Sequence, residues 1–214
     1  MTRITTPTRT GPLTRLALRM ARRKTGQLTG RETATMIEPL EAYAHAPPLL
    51  LGYGAFELAA GRVEGVEHRI KELTALKAAA IVDCEYCIDI GSSIAHRAGL
   101  TDEQLLALPR YRESGLFSEP EMLALDLADA MTRAPVEVSD ELYGALREHF
   151  DDAQLVELAS NIALENMRAR FNAALDIGSA GFTEGMVCAI PEAERPAGAE
   201  GTPRELAEPA TASA

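Results

Sequence analysis

The chain predicts an all-α fold, a helical bundle, on three observations. Apolar residues recur at spacings of three and four, alternation at period two is absent, and Gly and Pro punctuate the periodic segments rather than interrupt them. Helices are expected near 12–25, 33–45, 48–59, 65–82, 84–97, 102–108, 119–132, 140–149 and 152–175.

In the first helix Leu13, Leu16, Ala17, Met20 and Ala21 share a face, with arginines between them. The segment 84–97 is assigned Asp83 as N-cap, Tyr86, Ile90 and Ile94 as its apolar stripe, and Gly99 as its left-handed end. Three later starts carry paired caps: Thr101 with Gln104, Ser118 with Glu121, and Asp151 with Gln154. The last helix places Leu155, Leu158, Ile162, Met167, Phe171 and Leu175 in the register of an internal bundle helix and is expected to be the central support. Of its polar residues Asn161, Glu165, Asn166, Arg170 and Asn172, several can face the interface or the thiols, and solvent exposure is expected for most.

The domain division follows composition. Residues 1–31 form a basic arm with a short helix, 32–190 a single helical domain, and 191–214 a tail of Ala, Glu, Pro, Gly and Thr expected to be disordered. The arm carries Arg3, Arg9, Arg15, Arg19, Arg22, Arg23, Lys24 and Arg31 and no acidic residue, so it is expected to dock on an acidic surface, preferably of a neighbouring subunit. Its apolar face is small and lacks aromatic anchors, which argues against a membrane. The tetrapeptide Asp-Ile-Gly-Ser occurs at 89–92 and again at 176–179, too short a match to argue duplication.

The 214 residues hold 21 Lys and Arg against 32 Asp and Glu, a net charge of −11 that argues against nucleic acid as main partner. Three cysteines, no charged-then-apolar leader and no apolar run of about 18 residues point to a soluble protein of the reducing cytoplasm. A C-x-x-C there is more often redox-active than structural.

Cys84 opens the run Cys-Glu-Tyr-Cys-Ile-Asp-Ile-Gly, with Glu72 twelve positions before it. On a helix, thiols three apart stand about 60° apart on one face, one turn from each other, and can close a disulfide. At a helix start the unpaired amides and the dipole favour thiolate over thiol. Two plainer accounts stand beside a reactive dithiol: two small buried residues, or half of a zinc site. Zinc would need a second ligand pair, whereas Cys188, His45, His68, His96 and His149 are scattered. No metal or other cofactor is therefore expected.

Lys71-Glu72-Leu73 with Leu76 and Ala79, Cys84-Glu-Tyr-Cys87, Ala98-Gly99-Leu100-Thr-Asp-Glu-Gln, Asn161-Ile-Ala-Leu-Glu-Asn166 and Arg170-Phe-Asn172-Ala-Ala-Leu together resemble the carboxymuconolactone decarboxylase and alkylhydroperoxidase D-like family over about residues 45–178. The resemblance implies an all-α helical bundle assembling into trimers or hexamers, and reduction of hydroperoxides by a dithiol that a lipoyl- or thioredoxin-like partner regenerates. It implies roles for three residues: Cys87 as peroxidatic sulfur, Cys84 as resolving and more exposed partner, Glu72 as the carboxylate that moves the proton.

One departure stands out. The family's helix usually carries a histidine four residues after the second cysteine, and here that position is Gly91, which predicts a slow peroxidase. His96, nine positions on, turns to the opposite side and is expected to be solvated or intersubunit; His45 is a weaker candidate for the pocket. Two rivals remain open: decarboxylation of a carboxylated lactone, which needs no paired thiols, and an oligomeric redox sensor or binding module, which Gly91 favours. Cys188 is expected to be a packed apolar residue, or else a third thiol near another subunit's pair.

Overall fold

The computed structural model describes residues 2–8, 10–30 and 39–192. Among them every regular element is helical, and ten α-helices follow in chain order: α1 Pro12–Thr29, α2 Pro39–Tyr43, α3 Pro47–Ala60, α4 His68–Val82, α5 Glu85–Arg97, α6 Asp102–Ala107, α7 Tyr111–Ser114, α8 Glu119–Thr132, α9 Asp140–Arg147 and α10 Asp152–Leu175. Part of the expected helix 33–45, and nearly all of the tail expected to be disordered, lie outside the described residues.

The three expected paired caps hold. Thr101 with Gln104, Ser118 with Glu121, and Asp151 with Gln154 each close a reciprocal capping box, satisfying amide donors that a helix start leaves unpaired. Gly99 takes the left-handed conformation, at φ +87°, just beyond α5.

The central element is α4 rather than α10. Ile70, Leu73, Thr74, Leu76, Lys77 and three consecutive alanines, 78 to 80, are buried along α4, which is enclosed on several sides by α5, α8 and α10. Of its 15 residues only His68 is exposed, so α4 has almost no solvent face. In α10, Leu155, Leu158 and Ile162 are buried as expected, but Phe171 and Leu175 are half-buried and Met167 is exposed.

Two apolar clusters result. One gathers Leu73, Leu76, Leu105, Leu108, Tyr111 and Phe182 around the cysteines; the other joins α8, α9 and α10 through Leu127, Leu146, Leu158 and Ile162. The buried ammonium of Lys77 crosses the first, paired with Glu192, 3.6 Å from Asp129 and 4.8 Å from the centre of the Tyr111 ring.

The basic arm docks on its own chain. Arg3 donates its amide to the Leu175 carbonyl and its guanidinium to the Ala174 carbonyl, at the end of α10 where carbonyls lack helical partners. Arg22 pairs with Glu41. The helix outlasts its expected end at 25 and stops at Gly30, in left-handed conformation at φ +73°. Its apolar residues Leu13, Leu16 and Met20 stay exposed.

Candidate active site

The turn between α4 and α5 places the sulfurs. Asp83, expected to cap α5, instead ends α4 in left-handed conformation at φ 58°, and Cys84 is the residue in capping position. Its backbone is extended, and its Sγ accepts the amide of Cys87 at 3.2 Å. The chain therefore spends its first cysteine as a cap, which fixes both sulfurs in the first turn. They form a disulfide with Cα atoms 5.3 Å apart.

Both sulfurs are buried. Cys84 is 2% and Cys87 5% exposed, so Cys84 is not the more open partner that the resemblance implied. From α10, Asn172 Nδ2 donates to Cys87 Sγ at 3.4 Å and to Cys84 Sγ at 3.7 Å. Tyr86, between the cysteines, turns away and meets Phe182 edge-on.

Asn172, Arg168 and Glu165 are spaced by four and three, so they share the face of α10 that begins at the sulfurs and runs about two turns along it. Arg168 donates to both carboxylate oxygens of Glu57 and to Glu165 at 3.0 Å, with Tyr53 Oη beside it. Burial pushes the Glu165 carboxyl upward, against the pull of Arg168. Sequence reasoning missed Arg168; the spacing Glu165-x-x-Arg168 was the available signal.

Glu72 faces the far end of this strip. It makes no hydrogen bond to either sulfur among the described residues; its carboxylate lies 3.5 Å from His68 Nδ1. Burial first, then repulsion from Glu165, raises its pKa to about 7, against Arg168 and Lys71.

Leu76 occupies the space at Gly91. A Cβ there would stand 2.9 Å from Leu76 Cδ2, closer than packed side chains approach, so α4 and α5 meet at a contact that glycine alone permits without movement.

The opposite flank of α5 is held by the segment after α10. Asp89, 2% exposed, accepts five hydrogen bonds from Ser179, Ala180, Phe182 and Thr183. Burial alone would raise its pKa, but these bonds outweigh it and hold the carboxyl below its ordinary value. The Asp-Ile-Gly-Ser repeat thus has a contact if not a history, the first copy's Asp accepting from the second copy's Ser179.

His96 is neither solvated nor free. It is half-buried, its Nε2 2.9 Å from the Val187 carbonyl. His45 Nε2 meets the Thr5 carbonyl at 2.6 Å. The Thr183 hydroxyl gives its proton to Asp89, so in its hydrogen bond with Cys188 the thiol is the donor. Burial, with Asp89 behind Thr183, raises the Cys188 pKa, keeping it a thiol.

The expectation of solvent exposure fails for most polar residues of α10. Asn161 bonds the Lys71 carbonyl, Asn166 bonds Thr132, and Glu165 and Asn172 are buried; Arg170 alone of the five is exposed.

An all-helical protein with a cysteine pair at the start of one helix, and a carboxylate of raised pKa at the far end of the polar strip that leads from it, is the class these features define. The chain belongs to the carboxymuconolactone decarboxylase family, whose profile matches residues 47–130. It is 42% identical over 124 residues to the uncharacterized protein YnjA of Escherichia coli K12, a match spanning 58% of this chain and 65%, just under two thirds, of that relative. It is 32% identical over 111 residues to the uncharacterized protein YdfG of Bacillus subtilis 168, covering 51% of this chain and 76% of that one.

Solved structures share the fold. An uncharacterized peroxidase-related protein with an alkylhydroperoxidase AhpD core, from Ralstonia eutropha JMP134, superposes with a TM-score of 0.69 at 19% identity over 85% of this chain and 94% of its own. A protein of unknown function from Agrobacterium tumefaciens, proposed to be an antioxidant defence protein AhpD, gives 0.61 at 26% identity over 68% and 98%. The debrominase Bmp8 gives 0.68 at 21% identity over 80% and 88%.

Proposed function

We propose that the protein is a thiol-dependent peroxidase that reduces hydroperoxides through the Cys84–Cys87 pair. The observation that supports this best is the closed pair in the first turn of α5, where helix amides favour a thiolate once the bond is reduced. Cys87 thiolate attacks one oxygen of the hydroperoxide; the O–O bond breaks, the alcohol leaves with a proton, and Cys87 becomes a sulfenic acid. Cys84 then attacks that sulfur, the disulfide forms and water departs. A lipoyl- or thioredoxin-like dithiol returns two electrons and is itself oxidised. Glu72, with a pKa of about 7, both gives and takes protons at neutral pH, as a shuttle for the departing alcohol and water requires.

The working form is a cytoplasmic homo-oligomer, a trimer or hexamer. Supporting this, Leu13, Leu16 and Met20 on α1 and Leu49, Phe56 and Leu58 on the adjoining α3 are exposed, apolar side chains that a second copy would cover.

A second reading, a redox sensor whose disulfide changes its contacts, draws on Leu76 filling the histidine's place. Peroxide consumption with dihydrolipoamide separates the two: the peroxidase turns over many times, the sensor oxidises once. Cys87→Ser abolishes consumption, and unchanged consumption in that variant rejects the assignment of this sulfur.

A further inference from the structure

Among the described residues, one buried side-chain oxygen or nitrogen lacks a hydrogen-bond partner: Asn172 Oδ1. The residue is 1% exposed and its amide nitrogen already faces both sulfurs, 3.4 Å from Cys87 and 3.7 Å from Cys84. An unmet buried acceptor costs free energy in the state that leaves it unmet, and a disulfide has no proton to offer it.

We propose that Asn172 is a catalytic residue that recognises the reduced pair, its Nδ2 donating to the Cys87 thiolate while its Oδ1 accepts the Cys84 S–H. Reduction by a dithiol sends two electrons into the S–S bond and breaks it. One proton goes to Cys84, the other to solvent, and the reductant becomes a disulfide. One carboxamide then meets one anion and one thiol donor, each with its complement. The disulfide satisfies only half of it. Asn172 therefore biases the couple toward the dithiol and favours the charge on Cys87, the nearer sulfur, against the Cys87 amide that donates to Cys84.

The inference rests on the dithiol chemistry proposed above, but its test uses no hydroperoxide. The rate of Cys87 alkylation by iodoacetamide against pH, followed peptide by peptide, reads the thiolate; equilibration with dithiothreitol redox buffers reads the couple. Asn172→Leu is expected to raise the apparent Cys87 pKa by about one unit and to shift the equilibrium about tenfold toward the disulfide. Asn172→Asp keeps the shape and sets a carboxylate against the thiolate, so it moves both readouts further the same way, and it carries the test if the leucine variant does not fold. A purely structural role lowers the melting temperature and leaves both readouts in place, which overturns the proposal. A protein inert toward peroxide but showing both shifts retains Asn172 and loses only the peroxidase.

Discussion

Leu76 and Gly91 form a lock that a single substitution tests. Gly91→His puts a Cβ 2.9 Å from a leucine that is 1% exposed and enclosed on all sides, so it is expected to destabilise the fold by about 1–3 kcal/mol in urea unfolding. Adding Leu76→Ala opens the space, and the double variant is expected to lose less than the two single changes together. If a histidine one turn from Cys87 speeds peroxide reduction, the double variant turns over faster than the parent. Glu72 allows a pH test. Its folded pKa of about 7 lies above the ordinary 4.5, so it contributes stability that is fully present below about pH 4.5 and lost as pH rises through 7. Glu72→Gln is accordingly expected to stabilise the protein at about pH 8, by roughly 3 kcal/mol, and to change little near pH 4. Urea midpoints at both values check it. Cys84, Cys87 and Glu72 were legible as residue types at a spacing. Asn172 was legible only as one of five polar residues able to face the thiols, and Arg168 was not legible at all, because a polar residue in a long helix shows its direction only when the neighbouring helices are in place.

At the scale of the element, α5 owes its start to a sulfur. Serine caps a helix as well as any residue, and alanine does not, so Cys84→Ser and Cys84→Ala, which both lack the disulfide, are expected to differ by about 1 kcal/mol in favour of serine. Unfolding of the two variants side by side reads the cap alone. The caps at Thr101, Ser118 and Asp151 were legible because each pairs residues three apart, whereas Asp83 misled. A short polar residue between two helices suits either the start of the second or the left-handed end of the first, and here Cys84, next in line, takes the start. The choice of α10 over α4 as central helix failed for a related reason. The charge of Lys77 disguised a buried face, and only partners distant in sequence, Asp129 and Glu192 with the Tyr111 ring, explain how that charge is tolerated.

At the scale of the whole molecule, α1 and α3 carry about half of the exposed large apolar side chains among the described residues. If these faces meet a second copy, Phe56→Asp is expected to dissociate the assembly to monomers without unfolding them, which sedimentation velocity and circular dichroism together decide; a parent protein that already sediments as a monomer defeats the oligomer proposal. The helical class was open to the sequence because periodicity is local. The docking of the arm on α10 was not, since Arg3 meets carbonyls that any helix end presents and no side-chain pattern marks. The meeting of Lys77 with Glu192 also ties distant parts of the chain together. The innermost helix holds a cation whose two anions, Asp129 and Glu192, come from α8 and from the segment beyond α10, so removing both carboxylates strands a charge in the interior and loosens three stretches of chain at once.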